Sequence, residues 1–202
     1  MDNISLSEIA SILNVKNELD TNIIVKGIST DTRTLKKGDL FIAIKGKNYD
    51  GHDFISVAEK KEACGVVCSE DVESTLPILK VENTISALQN IASNYRKKLN
   101  TKIIAVTGSV GKTTTKSMIA NVLNLKYKVY STDKNYNNEI GLPKSILELD
   151  NSYDIAVLEM GMNHLNEIKL LSTIACPDIA IITNIGKAHI GNLGSQENIL
   201  KA

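Results

Sequence analysis

Cysteine is scarce in this chain of 202 residues: Cys64, Cys68 and Cys176. An odd, sparse set excludes a disulfide framework. The Cys64–Cys68 spacing has no Cys or His pair nearby to complete a metal site, and the run Gly65-Val66-Val67-Cys68 reads as core packing. Charge of one sign is lacking too, because 23 Lys and Arg balance 23 Asp and Glu. A balanced chain has no general electrostatic reason to coat nucleic acid or anionic lipid. No apolar run reaches the length of a membrane span. The acidic start MDNISLSEIASILN lacks the basic-then-apolar order of a secretory signal. Repeats and low-complexity segments are absent as well. These absences predict a cytoplasmic protein without nucleic-acid or membrane partners. A monomer is expected.

What is present is enough chain for one large or two small domains with a buried core. In the first half, Ser7–Leu13 reads as a short amphipathic helix and Asp53–Lys61 as another. Asn22–Ile28, Leu40–Ile44, Gly65–Cys68 and Ile78–Val81 read as strands. From Asn83 to Leu99, Ile85, Leu88, Ile91, Ala92 and Tyr95 fall on one helical face, and the charged end Arg96-Lys97-Lys98 places a boundary near residue 100. The second half alternates regularly. Strands are predicted at Ile103–Val106, Lys128–Tyr130, Asp154–Met160 and Asp178–Thr183. Helices are predicted at Lys112–Leu125, Glu139–Leu149 and His164–Ala175. Strands apolar on both faces indicate a parallel sheet covered by helices. Such doubly wound α/β sheets bind ligands beyond the carboxyl ends of their strands, so the residues just after each strand are the informative ones.

After the first of these strands comes Thr107-Gly108-Ser109-Val110-Gly111-Lys112-Thr113-Thr114. Two glycines permit a tight turn whose N–H groups can face phosphate oxygens, and the following helix adds its positive end. Lys112 can reach the outer phosphates, and the Thr113 hydroxyl can ligate Mg²⁺. The general pattern would have glycine at position 106, where this chain has Val106, so the loop is a shortened variant. The next strand end carries Glu159. It reads either as a carboxylate that binds Mg²⁺ or polarises water, or as an exposed or helix-capping glutamate. The last strand leads to Asn184 and His189, and a lone histidine is either structural or a ligand. Asn135, Asn137 and Asn138 offer uncharged amides for phosphate or sugar oxygens, or simply make an Asn-rich turn and helix cap.

Taken together, TGSVGKTTTK from Thr107, NYNNEIGLPKSIL from Asn135, LEMGMNH from Leu158 and TNIGKAHI from Thr183 resemble the central ATPase domain of the Mur ligases, the amino-acid-adding enzymes of peptidoglycan precursor synthesis. STDTRTLKKGDLFIAIKGKNYDGHDF from Ser29 resembles their N-terminal UDP-binding domain. The likeness is strongest to the branch that adds D-Ala-D-Ala to a UDP-N-acetylmuramoyl tripeptide. The diamino-acid-adding branch and the folylpolyglutamate synthases are the alternatives within this group, and a non-catalytic UDP-sugar-binding module is the alternative outside it. The resemblance implies an α/β chain in two parts: a small UDP-sugar-binding domain at 1–99, and a P-loop-type parallel-sheet ATP-binding domain at 100–202, incomplete and without the family's third domain. It implies ATP and Mg²⁺ as cofactors, with UDP-N-acetylmuramoyl peptide and D-Ala-D-Ala as partners. Thr107 to Thr114 would bind ATP, with Lys112, Glu159 and His189 in the catalytic set and Thr113, Glu159 and His189 as metal ligands. Asn135, Asn137 and Asn138 would approach the UDP-sugar phosphates. Thr32, Arg33, Lys47, Asp50, Gly51 and His52 would line the uridine site, although Asp31 and Arg33 equally suit a structural ion pair. The family's carbamylated lysine would fall just past Ala202, with Lys201 nearby. On this reading the chain alone has no ligase activity and at most weak nucleotide binding.

Overall fold

The computed structural model describes residues 1–16, 23–132 and 136–202. The chain divides into two compact units, Met1–Asn94 and Tyr95–Ala202, and the division falls inside one helix. Each unit is built around a four-stranded parallel sheet with helices, the α/β class expected from the alternation of strand and helix.

The first unit opens with β1 (Ile4–Ser5) and α1 (Leu6–Ile12). The Ser5 side chain caps that helix by accepting the Glu8 N–H at 3.1 Å. The strand predicted over 22–28 is in fact two, and Asn22 lies outside the described residues. β2 (Ile24–Val25) pairs antiparallel with β1, whereas β3 (Gly27–Ser29) joins another sheet. The break is at Lys26, whose N–H donates to the Gly38 carbonyl instead of extending either ladder. β4 (Asp39–Ile42) follows. A 3₁₀ turn (Gly51–Phe54) and α2 (Ile55–Lys60) then stand where one helix was expected. β5 (Gly65–Cys68), β6 (Ile78–Lys80) and α3 (Thr84–Arg96) complete the series. The sheet order is β3-β4-β5-β6, all parallel. Phe41, Ala43, Val66 and Cys68 pack with Ile55 and Ala58 of α2 into one core cluster. Every residue of β4 and β5 is buried, as a strand covered on both faces requires.

The second unit contains β7 (Lys102–Thr107), α4 (Lys112–Leu123), β8 (Val129–Ser131), α5 (Gly141–Glu148), β9 (Ile155–Glu159), α6 (Glu167–Ala175) and β10 (Ile179–Ile182). Two short helices, α7 (Ile190–Leu193) and α8 (Gln196–Lys201), follow. The order is β10-β7-β9-β8, again all parallel. α6 starts later than His164 because Asn166 takes left-handed backbone (φ 69°). The Glu167 carboxylate accepts the Asn163 N–H at 2.6 Å, which ties the preceding turn to the helix start. One expectation needs correction. β10 is not covered on both faces: as an edge strand paired with β7 it leaves Ile179 55% and Ile182 63% exposed. α4 packs through Ile119, Ala120 and Leu123, but Met118 and Val122 face outward. Among the described residues no helix is long and apolar enough to cross a membrane.

The cysteines are free thiols. Cys68 lies wholly within the first unit's core. Burial pushes the Cys64 thiol up to about 11 and raises that of Cys68 as well. Alkylation at pH 8 should therefore label the exposed Cys176 first, with Cys64 and Cys68 modified only on unfolding; peptide mass mapping over time checks this order. In the second unit the buried Tyr95 hydroxyl donates to the Leu149 carbonyl at 2.7 Å. Tyr95→Phe leaves that carbonyl without this donor and should cost about 1–2 kcal/mol, measured as a lower denaturation midpoint.

Candidate functional site

The second unit brings four loops to the carboxyl edge of its sheet: the segments after β7, β8, β9 and β10. β7 lies between β9 and β10, so the phosphate loop emerges with Glu159 on one side and Thr183–His189 on the other.

Geometry explains both loop glycines. Gly108 has φ 136°, and a Cβ there would sit 2.1 Å from the Thr183 hydroxyl oxygen. Gly111 has nothing near an added Cβ, but its φ of 84° is left-handed backbone that favours glycine. Gly111 caps α4, so the N–H groups of that helix's first turn point out of its start. Lys112 arches back, its Nζ donating to the Gly108 carbonyl at 2.7 Å.

The loop is held from the neighbouring strand. The Val110 N–H donates to the Asn184 side-chain oxygen at 3.2 Å, and Asn184 Nδ2 donates to the Val110 carbonyl at 3.1 Å. That carbonyl also receives the Thr183 hydroxyl at 2.6 Å. The Ser109 N–H donates to the Asn184 carbonyl at 3.1 Å, and the Gly186 N–H to the Ser109 hydroxyl at 2.9 Å. The N–H groups of both Ser109 and Val110 are thus bonded to Asn184. The motif placed Asn184 at the sheet edge, but only the register of β10 beside β7 discloses its clamping contacts.

Glu159 is 3% exposed at the end of β9, so it is not a surface glutamate. Its Oε2 accepts the Thr113 hydroxyl at 2.8 Å and its Oε1 accepts Asn137 Nδ2 at 3.0 Å. Asn137 also accepts the Gly161 N–H at 2.8 Å through its carbonyl. Asn138 caps α5, accepting the Ile140 and Gly141 N–H groups at 3.1 and 2.8 Å. The turn-and-cap reading of the Asn-rich segment thus holds for Asn138, while the Asn137 amide is bonded to Glu159. Asn135 lies outside the described residues. His189 takes left-handed backbone (φ 61°) before α7. It lines a cleft of about 280 Å³ with Lys112, Asn137, Asn138, Met162 and Glu167. Partial burial pushes the Glu167 carboxyl up, but the Asn163 N–H and His164 hold it below its usual range. Thr113 and Glu159 present converging hard oxygens, a donor pair that suits Mg²⁺. Among the described residues the only three His, Cys, Asp or Glu side chains whose ligand atoms converge are Asp50, His52 and Glu70.

In the first unit the candidates also follow strand ends. Thr32 is buried beyond β3. The exposed Arg33 pairs with Asp31 through Nε at 3.0 Å and Nη2 at 2.6 Å, so the ion pair is formed. Lys47 is exposed. Gly51 is packed so closely on β4's end that a Cβ would lie 2.6 Å from the Ile44 nitrogen. Asp50 accepts the His52 N–H at 3.0 Å and His52 Nδ1–H at 2.5 Å, and pairs with Lys45 at 2.9 Å. These donors hold its carboxyl well below the usual range, His52 foremost. His52 Nε2 accepts the Ser69 N–H at 3.0 Å, which leaves Nδ1 as the protonated nitrogen. Lys45 also bonds Glu70 at 2.8 Å, so an ammonium already bridges both acids of the three-residue group.

A glycine loop that feeds a helix from a central parallel strand, with a buried carboxylate on the adjoining strand, defines an α/β phosphate-loop protein. The profile of the Mur ligase family catalytic domain matches residues 24–131, and that of the Mur ligase middle domain matches residues 106–202. The chain belongs to the Mur ligase family. It is 48% identical over 194 residues to the UDP-N-acetylmuramoyl-tripeptide–D-alanyl-D-alanine ligase of Synechocystis, covering 95% of this chain and 42% of that protein. The crystal structure of MurF from Acinetobacter baumannii matches with a TM-score of 0.90 at 31% identity, over 100% of this chain and 45% of that one. MurF ligase from Thermotoga maritima, in complex with ADP, matches with a TM-score of 0.82 at 35% identity, over 90% of this chain and 42% of that one. The chain thus spans less than half the length of these relatives.

Replacing Asn184 by Ala removes both side-chain bonds to Val110. ADP affinity should fall about tenfold, with little change in melting temperature because the side chain is exposed; calorimetric titration and a thermal melt check the two halves.

Proposed function

We propose that the protein acts as an ATP-dependent carbon–nitrogen ligase that joins D-Ala-D-Ala to UDP-N-acetylmuramoyl tripeptide. Residues 1–99 would serve the UDP-sugar and residues 100–202 the ATP. The observation that carries this reading is the buried Glu159, bonded at once to Thr113 of the phosphate-loop helix and to Asn137 of the Asn-rich segment. A carboxylate so placed serves a cation at the phosphates, whereas a surface glutamate would serve nothing there. The MurF relatives support the choice of branch.

In this reading Lys112 swings from the Gly108 carbonyl to the outer phosphates, and the α4 start binds their oxygens. Thr113 and Glu159 would hold Mg²⁺, and His189 would help hold a second ion. When bound, Mg²⁺ supplies neutralisation of charge on the transferring phosphoryl group. A carboxylate oxygen of the peptide bonds to the γ-phosphorus as the bond to ADP breaks. The D-Ala-D-Ala amine then bonds to the acyl carbon, loses a proton and expels phosphate. The chain needs no nucleophile of its own, which fits three thiols of which two are buried or partly buried. Asn137 and Asn138 would orient the UDP-sugar phosphates near this edge. Thr32, Arg33, Lys47 and the Asp50–His52 turn would face the uridine.

Calorimetric titration with Mg²⁺ and ADP, then with UDP-N-acetylmuramoyl tripeptide, tests the reading. Both should bind the 202-residue chain, the nucleotide weakly. Lys112→Ala should abolish nucleotide binding, and Glu159→Gln should remove its Mg²⁺ dependence. Phosphate release with both substrates should stay at background. Binding of the UDP-peptide without any nucleotide would support a sugar-binding module instead.

A further inference from the structure

Lys116 belongs to none of the roles assigned so far. It lies one turn beyond Lys112 on the same side of α4, in a stripe that continues to Ala120. Lysines in such polar stretches are ordinarily solvated, yet this one is 4% exposed. Among the described residues its Nζ has one partner, the Thr132 carbonyl at 2.5 Å. Burying a lysine head is costly, and here a single short bond to a main-chain oxygen accompanies it.

The identity of that oxygen is what matters. Thr132 is 2% exposed and directly follows β8. Its N–H and hydroxyl both donate to the Val157 carbonyl, at 3.2 and 3.3 Å. Its hydroxyl oxygen accepts the Glu159 N–H at 3.3 Å. Thr132 is thus the hinge between β8 and the last residue of β9. Glu159 in turn reaches Thr113, which lies on α4 between Lys112 and Lys116. The bonds close a ring: α4 through Lys116 to Thr132, to Glu159, to Thr113 and back to α4. Asn137 joins the ring at Glu159.

We propose that Lys116 is a positioning residue: it holds Thr132 so that the Glu159 carboxylate and the Asn137 amide stand at the phosphate edge in the orientation a divalent cation and nucleotide require. The cation role of Glu159 rests on the ligase reading above. Lys116 itself touches no reacting group. A residue that merely filled space in the core would be replaceable by an apolar side chain of similar length without effect on the edge. A positioning lysine is not, because only a donor fixes the Thr132 carbonyl.

The test uses the full chain with Mn²⁺ as a spectroscopic probe in the presence of ADP. Lys116→Met should weaken Mn²⁺ binding, read by electron paramagnetic resonance, by up to about tenfold, the lower end of what loss of a direct partner of a metal ligand costs, because Lys116 acts through Thr132. Lys116→Arg, which restores a donor, should recover most of it. Amide exchange at Gly161, whose N–H bonds Asn137, should quicken in Lys116→Met while that of Ile104 in β7 stays unchanged. Should Lys116→Met not fold, Thr132→Val cuts the same ring at the Glu159 N–H and should give the same loss. A Lys116→Met chain that melts earlier yet keeps wild-type Mn²⁺ affinity and Gly161 protection overturns the proposal, as does a folded Thr132→Val chain with both unchanged. Should the wild-type chain itself take no Mn²⁺ with ADP, the ligase reading fails, and the exchange data alone decide: quickened Gly161 upholds the positioning role, unchanged Gly161 ends it.

Discussion

The hydrogen bond between the Glu159 carboxylate and the Thr113 hydroxyl carries more of this structure than its length of 2.8 Å suggests. A carboxylate at 3% exposure is costly unless its oxygens find donors. Thr113 satisfies one oxygen and Asn137 the other, so both the phosphate-loop helix and the Asn-rich segment are set by one buried acid. In the proposed ligase reading, stability and site geometry share these atoms.

A second constraint acts on the other flank. The loop from Gly108 to Gly111 contains two left-handed glycines and has little conformational restraint of its own. Asn184 supplies restraint by exchanging bonds with both the N–H and the carbonyl of Val110. A loop organised before ligand arrives gives up less entropy on binding. Preorganisation therefore comes at the expense of two loop N–H groups, those of Ser109 and Val110.

Much of the site was readable along the chain because the signals are local. Gly108, Gly111 and Lys112 stand in a strand–turn–helix whose requirements lie within a few residues of one another. Glu159 stood out because a strand end in a parallel sheet is a privileged address. Other features were unreadable because their causes lie far off in sequence. The break at Lys26 depends on the Gly38 carbonyl, and the burial of Lys116 on Thr132. α7 and α8 are too short to show a period of their own. The apolar face of β10 looked like a covered strand, since periodicity reports what a strand could bury and not whether a neighbour is there to bury it.

The sequence by itself determined the class of fold, the phosphate loop and the family likeness, because strand–helix alternation and glycine placement are short-range physics written in order along the chain. Only the tertiary structure decided which groups are spoken for. Asn184 clamps the loop, His52 is bonded at both ring nitrogens by Asp50 and Ser69, and Lys116 is buried against Thr132. Hydrogen bonds between distant segments depend on strand order and register, and neither is encoded in any single stretch of residues.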